Sequence, residues 1–132
     1  MIEWSVSRVL ARGPRPGFPE SAVSRFEVED WVREARSLGI CTILCLLSES
    51  ELGIYAAALA VVGGLLGFYR SRGLAVRHVP LEPGRDPAVN EQQLAELVAI
   101  FKASKKPVLV HAASNNARTS AAIDELERFL GG

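Results

Sequence analysis

The residues with the clearest chemical potential lie together near the C-terminal end, in Val108-Leu109-Val110-His111-Ala112-Ala113-Ser114-Asn115-Asn116-Ala117-Arg118-Thr119-Ser120. An apolar run ends, small residues turn, and a helical pattern begins. Successive backbone N–H groups in such a turn can converge into an anion-binding concavity. The start of the helix adds unsatisfied donors and a partial positive charge. Arg118 at that start can grip two phosphate oxygens through its planar fork. The residues between are small, so a ligand can come close to the backbone. These types at this spacing permit phosphate or sulfate binding. An ordinary strand–loop–helix connection with a surface arginine has the same spacing.

Such a turn needs a strand before it, a helix after it and a sheet to hold both. Pro107 to His111 reads as a short buried strand, and a last helix is expected from about Arg118 to Leu130, with Ile123, Leu126, Phe129 and Leu130 facing inward. Upstream, Ser5 to Ala11 reads as a strand, followed by a turn-rich stretch, Gly13 to Pro19, whose prolines exclude helix and central strand. A helix opens at Ser24, where Ser24 and Glu27 form a capping box. Val28, Trp31, Val32, Ala35 and Leu38 then repeat at helical spacing, and Gly39 sits where a C-terminal cap glycine belongs. Ile40 to Leu47 is a continuous apolar run, as in a strand buried on both faces. Ser48-Glu49-Ser50-Glu51 opens a second helix with another capping box, and Leu52 to Tyr69 carries no charge. That stretch falls short of the ~20 residues a membrane span needs, and Gly63-Gly64 interrupts it. It reads as a buried core helix, with a self-association face over 52–69 as a further reading. Leu74 to Pro80 is a strand, Glu82 to Val89 a loop, and Asn90 with Gln93 caps a third helix with Leu94, Leu97, Val98 and Phe101 on its apolar face. Strands alternating with helices define a single α/β domain over residues 1–132. A mainly parallel central sheet is flanked by helices, and a phosphate-binding loop lies between the last strand and the C-terminal helix. Ligands of such sheets bind beyond the C-terminal ends of the strands.

Composition narrows the partners. Lys+Arg and Asp+Glu number 15 each, so the chain lacks the positive excess of a nucleic-acid or polybasic membrane binder. Two cysteines make no disulfide framework, and two histidines, His78 and His111, make no metal cluster. Cys41 and Cys45 read as buried thiols on one face of a strand. Met1-Ile2-Glu3-Trp4 has no basic leader pattern. The expectation is a cytoplasmic, monomeric domain with no metal, no cofactor, no nucleic acid and no membrane partner.

The segment from His111 to Thr119 resembles the signature loop of the cysteine-dependent protein tyrosine phosphatases, H-C-x-x-G-x-x-R-[ST]. His111 matches the histidine, Arg118 the arginine and Thr119 the hydroxyl. Leu10-Ala11-Arg12-Gly13-Pro14-Arg15-Pro16 resembles the opening segment of the small archaeal and dual-specificity members. Gly39 to Glu51, and Tyr69 to Leu81, are similar to their second strand and their approach to the general-acid loop. The sequence departs from the pattern twice. Ala112 stands at the nucleophilic cysteine and Asn115 at the glycine, where asparagine tolerates a left-handed backbone better than other non-glycine residues.

The resemblance implies that the position-112 thiolate attacks phosphorus, that Arg118 holds two phosphate oxygens, and that Thr119 bonds the sulfur. Ala113, Ser114, Asn115, Asn116 and Ala117 would line the phosphate, with His111 bracing the loop from beneath or acting on it electrostatically. The general acid would lie in Val79 to Pro87; Asp86 is the choice and Glu82 the alternative, since Pro83 occupies the matching position. A methyl group cannot attack phosphorus, so the chain as written is expected to be inactive. Retention of His111, Arg118 and Thr119 favours a disabling replacement of cysteine over a natural pseudophosphatase that binds phosphoproteins without turnover. The implied substrate is a phosphorylated protein or peptide, phosphotyrosine first, then phosphoserine or phosphothreonine. No Lys or Arg lies between Ala113 and Ala117, which disfavours more highly charged phosphoinositides and RNA 5′-triphosphates.

Overall fold

The sheet is built on the apolar runs. Val108, Leu109, Val110 and His111 are all buried and form β5 (Val108–His111), the central strand. A computed structural model describes residues 1–131. The other strands are β1 (Glu3–Val6), β2 (Leu10–Gly13), β3 (Thr42–Cys45) and β4 (Ala75–His78). They lie in the order β1-β2-β5-β3-β4. All neighbours are parallel except β1 and β2, which pair antiparallel. The register aligns Gly13, His111, Cys45 and His78 in one row at the C-terminal ends of the four parallel strands. That row is the floor on which the 112–118 turn stands.

The expected single strand from Ser5 to Ala11 is instead two strands joined by a tight turn. Arg8 sits in the turn at φ 63°, and the Val9 amide bonds the Val6 carbonyl at 2.9 Å. A left-handed arginine carries no sequence mark of the kind glycine or asparagine gives a hairpin, so the run reads as continuous.

The five helices are α1 (Arg25–Ser37), α2 (Glu49–Leu52), α3 (Gly64–Ser71), α4 (Glu91–Ala103) and α5 (Ala117–Gly131). Reciprocal capping boxes form at Ser24/Glu27, Ser48/Glu51 and Asn90/Gln93, each satisfying two otherwise unpaired amides. The sheet separates two cores. Val28, Trp31, Val32, Phe68 and Tyr69 pack on one face, and Leu97, Phe101, Ala122, Ile123 and Leu126 on the other. Phe129 and Leu130, expected to face inward, are 39% and 40% exposed near the end of α5.

No helix runs over 52–69. After α2 the chain makes two 3₁₀ turns, Gly53–Tyr55 and Ala60–Val62, before α3 begins. Gly63 and Gly64 both have positive φ, 84° and 78°, which a right-handed helix cannot accommodate. The chain folds back so closely that a Cβ on Gly67 would lie 1.8 Å from the Val62 carbonyl oxygen. The fold-back buries Tyr55, Leu59, Leu65, Phe68 and Tyr69. The single helix expected over 52–69 is thus replaced by two 3₁₀ turns and α3, with Val61 exposed in the second turn. Among the described residues no helix is long and apolar enough to cross a membrane.

Candidate active site

The turn from Ala112 to Asn116 leaves β5 at the middle of the aligned row and enters α5 directly. His111 lies beneath it, fully buried. Its Nδ1–H donates to the Ala112 carbonyl at 2.9 Å, so Nε2 is the acceptor and takes the Tyr69 hydroxyl proton, also at 2.9 Å. Trp31 packs edge-on against the ring, 5.3 Å between centroids. Burial pushes the imidazole pKa down to about 4, because charging it there would forfeit hydration. His111 is therefore a neutral brace for the turn.

Ala112 is 2% exposed, and its amide donates to Thr119 Oγ1 at 3.2 Å. The Thr119 hydroxyl in turn donates to the Ser114 carbonyl at 3.3 Å. The hydroxyl that resemblance assigns to the sulfur thus stands beside position 112, but it gives its proton to the turn. No replacement nucleophile is poised from the neighbouring strand. Cys45 is buried, and that burial pushes its thiol pKa up to about 12. Cys41, expected to be buried beside it, is only half-buried and precedes β3.

The amides of Ala113, Ser114, Asn115 and Asn116 meet no acceptor among the described residues, whereas the Ala117 amide bonds Asn116 Oδ1 at 2.7 Å. Ala117 thereby leaves the expected donor set. Asn115 does not use a left-handed backbone; among the described non-glycine residues only Arg8 does. Arg12 holds Asn115 instead. Its Nε donates to Asn115 Oδ1 at 2.9 Å, and its Nη2 to the Asn115 carbonyl at 3.2 Å and Ser120 Oγ at 2.7 Å. The turn closes through a clasp from β2 where the family pattern uses glycine. The Arg15 amide ties the other side to the Ala113 carbonyl at 3.0 Å.

Arg118 is 7% exposed. Its Nη1 and Nη2 donate to Glu51 Oε1 and Oε2 at 2.7 and 2.8 Å, and Nη1 also reaches the Leu81 carbonyl at 2.8 Å. Glu51 therefore takes the end edge of the guanidinium. The side edge, Nε–H and the second Nη2–H, has no acceptor among the described residues. No fully buried side-chain nitrogen there lacks a partner, so Nε is not sealed from solvent. Two parallel donors on one edge match two oxygens of a phosphate. Burial raises the Glu51 pKa, but the hydrogen bonds from Arg118 and from the Ser48 backbone outweigh it and hold the carboxyl below its usual range.

Sequence reasoning assigned Glu51 only a capping role. The remaining signal was its place just beyond a buried strand, at the sheet edge where ligands bind. Arg12 and Tyr69 were likewise missed as supports of the turn. Asp86 and Glu82 lie together in the β4–α4 loop and line a cavity of about 280 Å³ with Pro80, Arg85 and Asn90. Both are exposed, and neither makes a hydrogen bond to residues 112–118. Glu82 directly follows Leu81, whose carbonyl Arg118 holds. Among the described residues no group of three His, Cys, Asp or Glu side chains is arranged to hold a metal.

A mainly parallel five-stranded sheet, helices on both faces and this strand–turn–helix together make a phosphatase-like α/β fold. The structure is similar to that of a kinase-associated phosphatase bearing serine in place of its catalytic-site cysteine, with a TM-score of 0.61 and 24% sequence identity. The match covers 89% of this chain and 65% of that one, so the chain spans less than two thirds of its neighbour. No protein-family model matches the chain, and no curated protein matches it by sequence.

Proposed function

We propose that the 112–118 turn is the phosphate site of a protein phosphatase of the cysteine-dependent tyrosine and dual-specificity type, disabled here by Ala112. The observation that carries this reading is the free side edge of Arg118, fixed by Glu51 at the start of α5 next to four unpaired turn amides. Donors pre-set in this way stabilise the charge spread over a phosphoryl group without reorganising. The ligand is phosphotyrosine in a protein or peptide, with phosphoserine and phosphothreonine bound in the same mode.

With cysteine at 112, its thiolate attacks phosphorus and the bond to the leaving oxygen breaks. Asp86 protonates that oxygen, or Glu82 in its place. Water then attacks the cysteinyl phosphate and releases inorganic phosphate and the free thiolate. With alanine at 112, no bond to phosphorus can form.

A second reading has a specific observation behind it. Arg118 also holds Glu51 and the Leu81 carbonyl, so it has work to do without turnover. In that reading the domain is a non-catalytic phosphoprotein-binding module. Hydrolysis of an aryl phosphate by this chain and by Ala112→Cys separates the two. Vanadate-sensitive turnover in the cysteine variant alone supports the phosphatase. Phosphate binding by both proteins with turnover in neither supports the binding module. Failure of both to bind phosphate overturns the site.

A further inference from the structure

One cavity lies well away from the turn. It is a cleft of about 510 Å³ against α1 and α3, lined by Glu29, Val32, Arg33, Arg36, Ser37 and Arg72. Arg36 also lines a second cavity, of about 360 Å³, with Ala75 and Lys105. The two cavities share Arg36 in their walls. The second lies at the N-terminal ends of β3 and β4, whereas the 112–118 turn stands beyond the C-terminal ends. Roughly 10 Å of four-residue strand separates the two sites.

The charges around the two cavities are one-sided. Arg33, Arg36, Arg72 and Lys105 face a single lining carboxylate, Glu29, with Asp30 beside Arg33 at 2.6 Å. A chain with no net charge thus concentrates positive charge here. Arg72 is set in place, with its guanidinium 4.5 Å from the centre of the Phe68 ring and Nη2 3.4 Å from Glu29. Arg36 and Lys105 are exposed and make no ion pair among the described residues. The cations are spread over two cavities that share Arg36, as suits carboxylates repeating along an extended chain. A compact ion would engage only part of the array.

We propose that this pair of cavities, at the end of the sheet opposite the phosphate turn, docks an acidic polypeptide segment. The site takes its affinity from Arg33, Arg36, Arg72 and Lys105 and is independent of the residue at 112.

The test is fluorescence anisotropy with a labelled oligoglutamate peptide that carries no phosphate, so the result does not depend on the turn. Binding should be saturable at low ionic strength and weaken steeply as salt is added. The double variant Arg36→Glu/Lys105→Glu reverses two exposed charges and should weaken it roughly tenfold or more. Arg8→Glu, on the β1–β2 turn, changes net charge outside the two cavities and should leave binding unaltered. All these side chains are exposed, and matching thermal melts confirm that the variants fold. Absence of saturable binding at low salt overturns the proposal. So does an equal loss per unit charge from Arg8→Glu, which would mean that only overall charge matters.

Discussion

Acidification offers a direct test of the buried brace beneath the turn. His111 in the unfolded chain titrates near 6.5, whereas burial lowers its folded value to about 4. Between those values the unfolded chain binds a proton that the folded chain refuses. Stability is therefore fully present above pH 6.5 and is lost as pH falls toward 4. The gap corresponds to about 3 kcal/mol, or on the order of a hundredfold in the folded-to-unfolded ratio. Most of this should be lost by about pH 4.5, before the ordinary carboxylates contribute strongly. Urea unfolding at a series of pH values, for the parent chain and His111→Asn, isolates the effect. The variant will be less stable throughout, but only the slope matters. Its urea midpoint should stay nearly level from pH 6.5 to 4.5 while the parent's falls. Tyr69→Phe, which removes the proton donor to Nε2, should move the onset of the parent's loss to lower stability without abolishing the slope. Parallel slopes in the parent and His111→Asn would refute the neutral, buried imidazole.

Three further outcomes follow from the same contacts. Glu51→Gln leaves the Arg118 guanidinium without its charged partner and should cost about 2 kcal/mol at neutral pH, read as a lower urea midpoint. Because Glu51 titrates below its usual range when folded, its contribution is present above the unfolded value and lost as pH falls through the folded one. The deficit of the variant should accordingly shrink in strong acid. Gly67→Ala forces a methyl into the Val62 carbonyl, 1.8 Å away, and should cost about 3 kcal/mol, lowering the melting temperature by roughly 10 °C. In an Ala112→Cys background, Asp86→Asn should lower kcat by about a hundredfold, with Glu82→Gln nearly silent. The reverse pattern in steady-state kinetics would move the general acid to Glu82.

Local signals were legible and long-range pairings were not. The Ser24 cap and the spacing of Val28, Trp31, Val32 and Ala35 locate α1 and its buried face, because both depend on neighbours within two turns. The apolar runs around Ile43 and Leu109 give β3 and β5 for the same reason. The 52–69 run failed because composition reports burial and not path. Tyr55, Leu59, Leu65, Phe68 and Tyr69 are buried, but through turns that Gly63, Gly64 and Gly67 permit, and Val61 between them is left exposed. In the turn itself, the sequence marks Arg118 but not the carboxylate 67 positions away that aims it. Nor does it mark the Arg12 clasp on Asn115, 103 positions away. Such pairings depend on strand order, which a linear pattern does not encode.

Arg118 also bears on how such a domain changes over time. From the start of α5 it fastens the loop after β3, the one-turn helix holding Glu51 and the loop after β4. Replacing it would unfasten three crossings at once, a loss the molecule feels whether or not a substrate ever arrives. Position 112 makes no polar contact through its side chain, a methyl buried in the core beside β5. An arginine that fastens three crossings would be kept whatever stands at position 112, so Arg118 records architecture as much as chemistry.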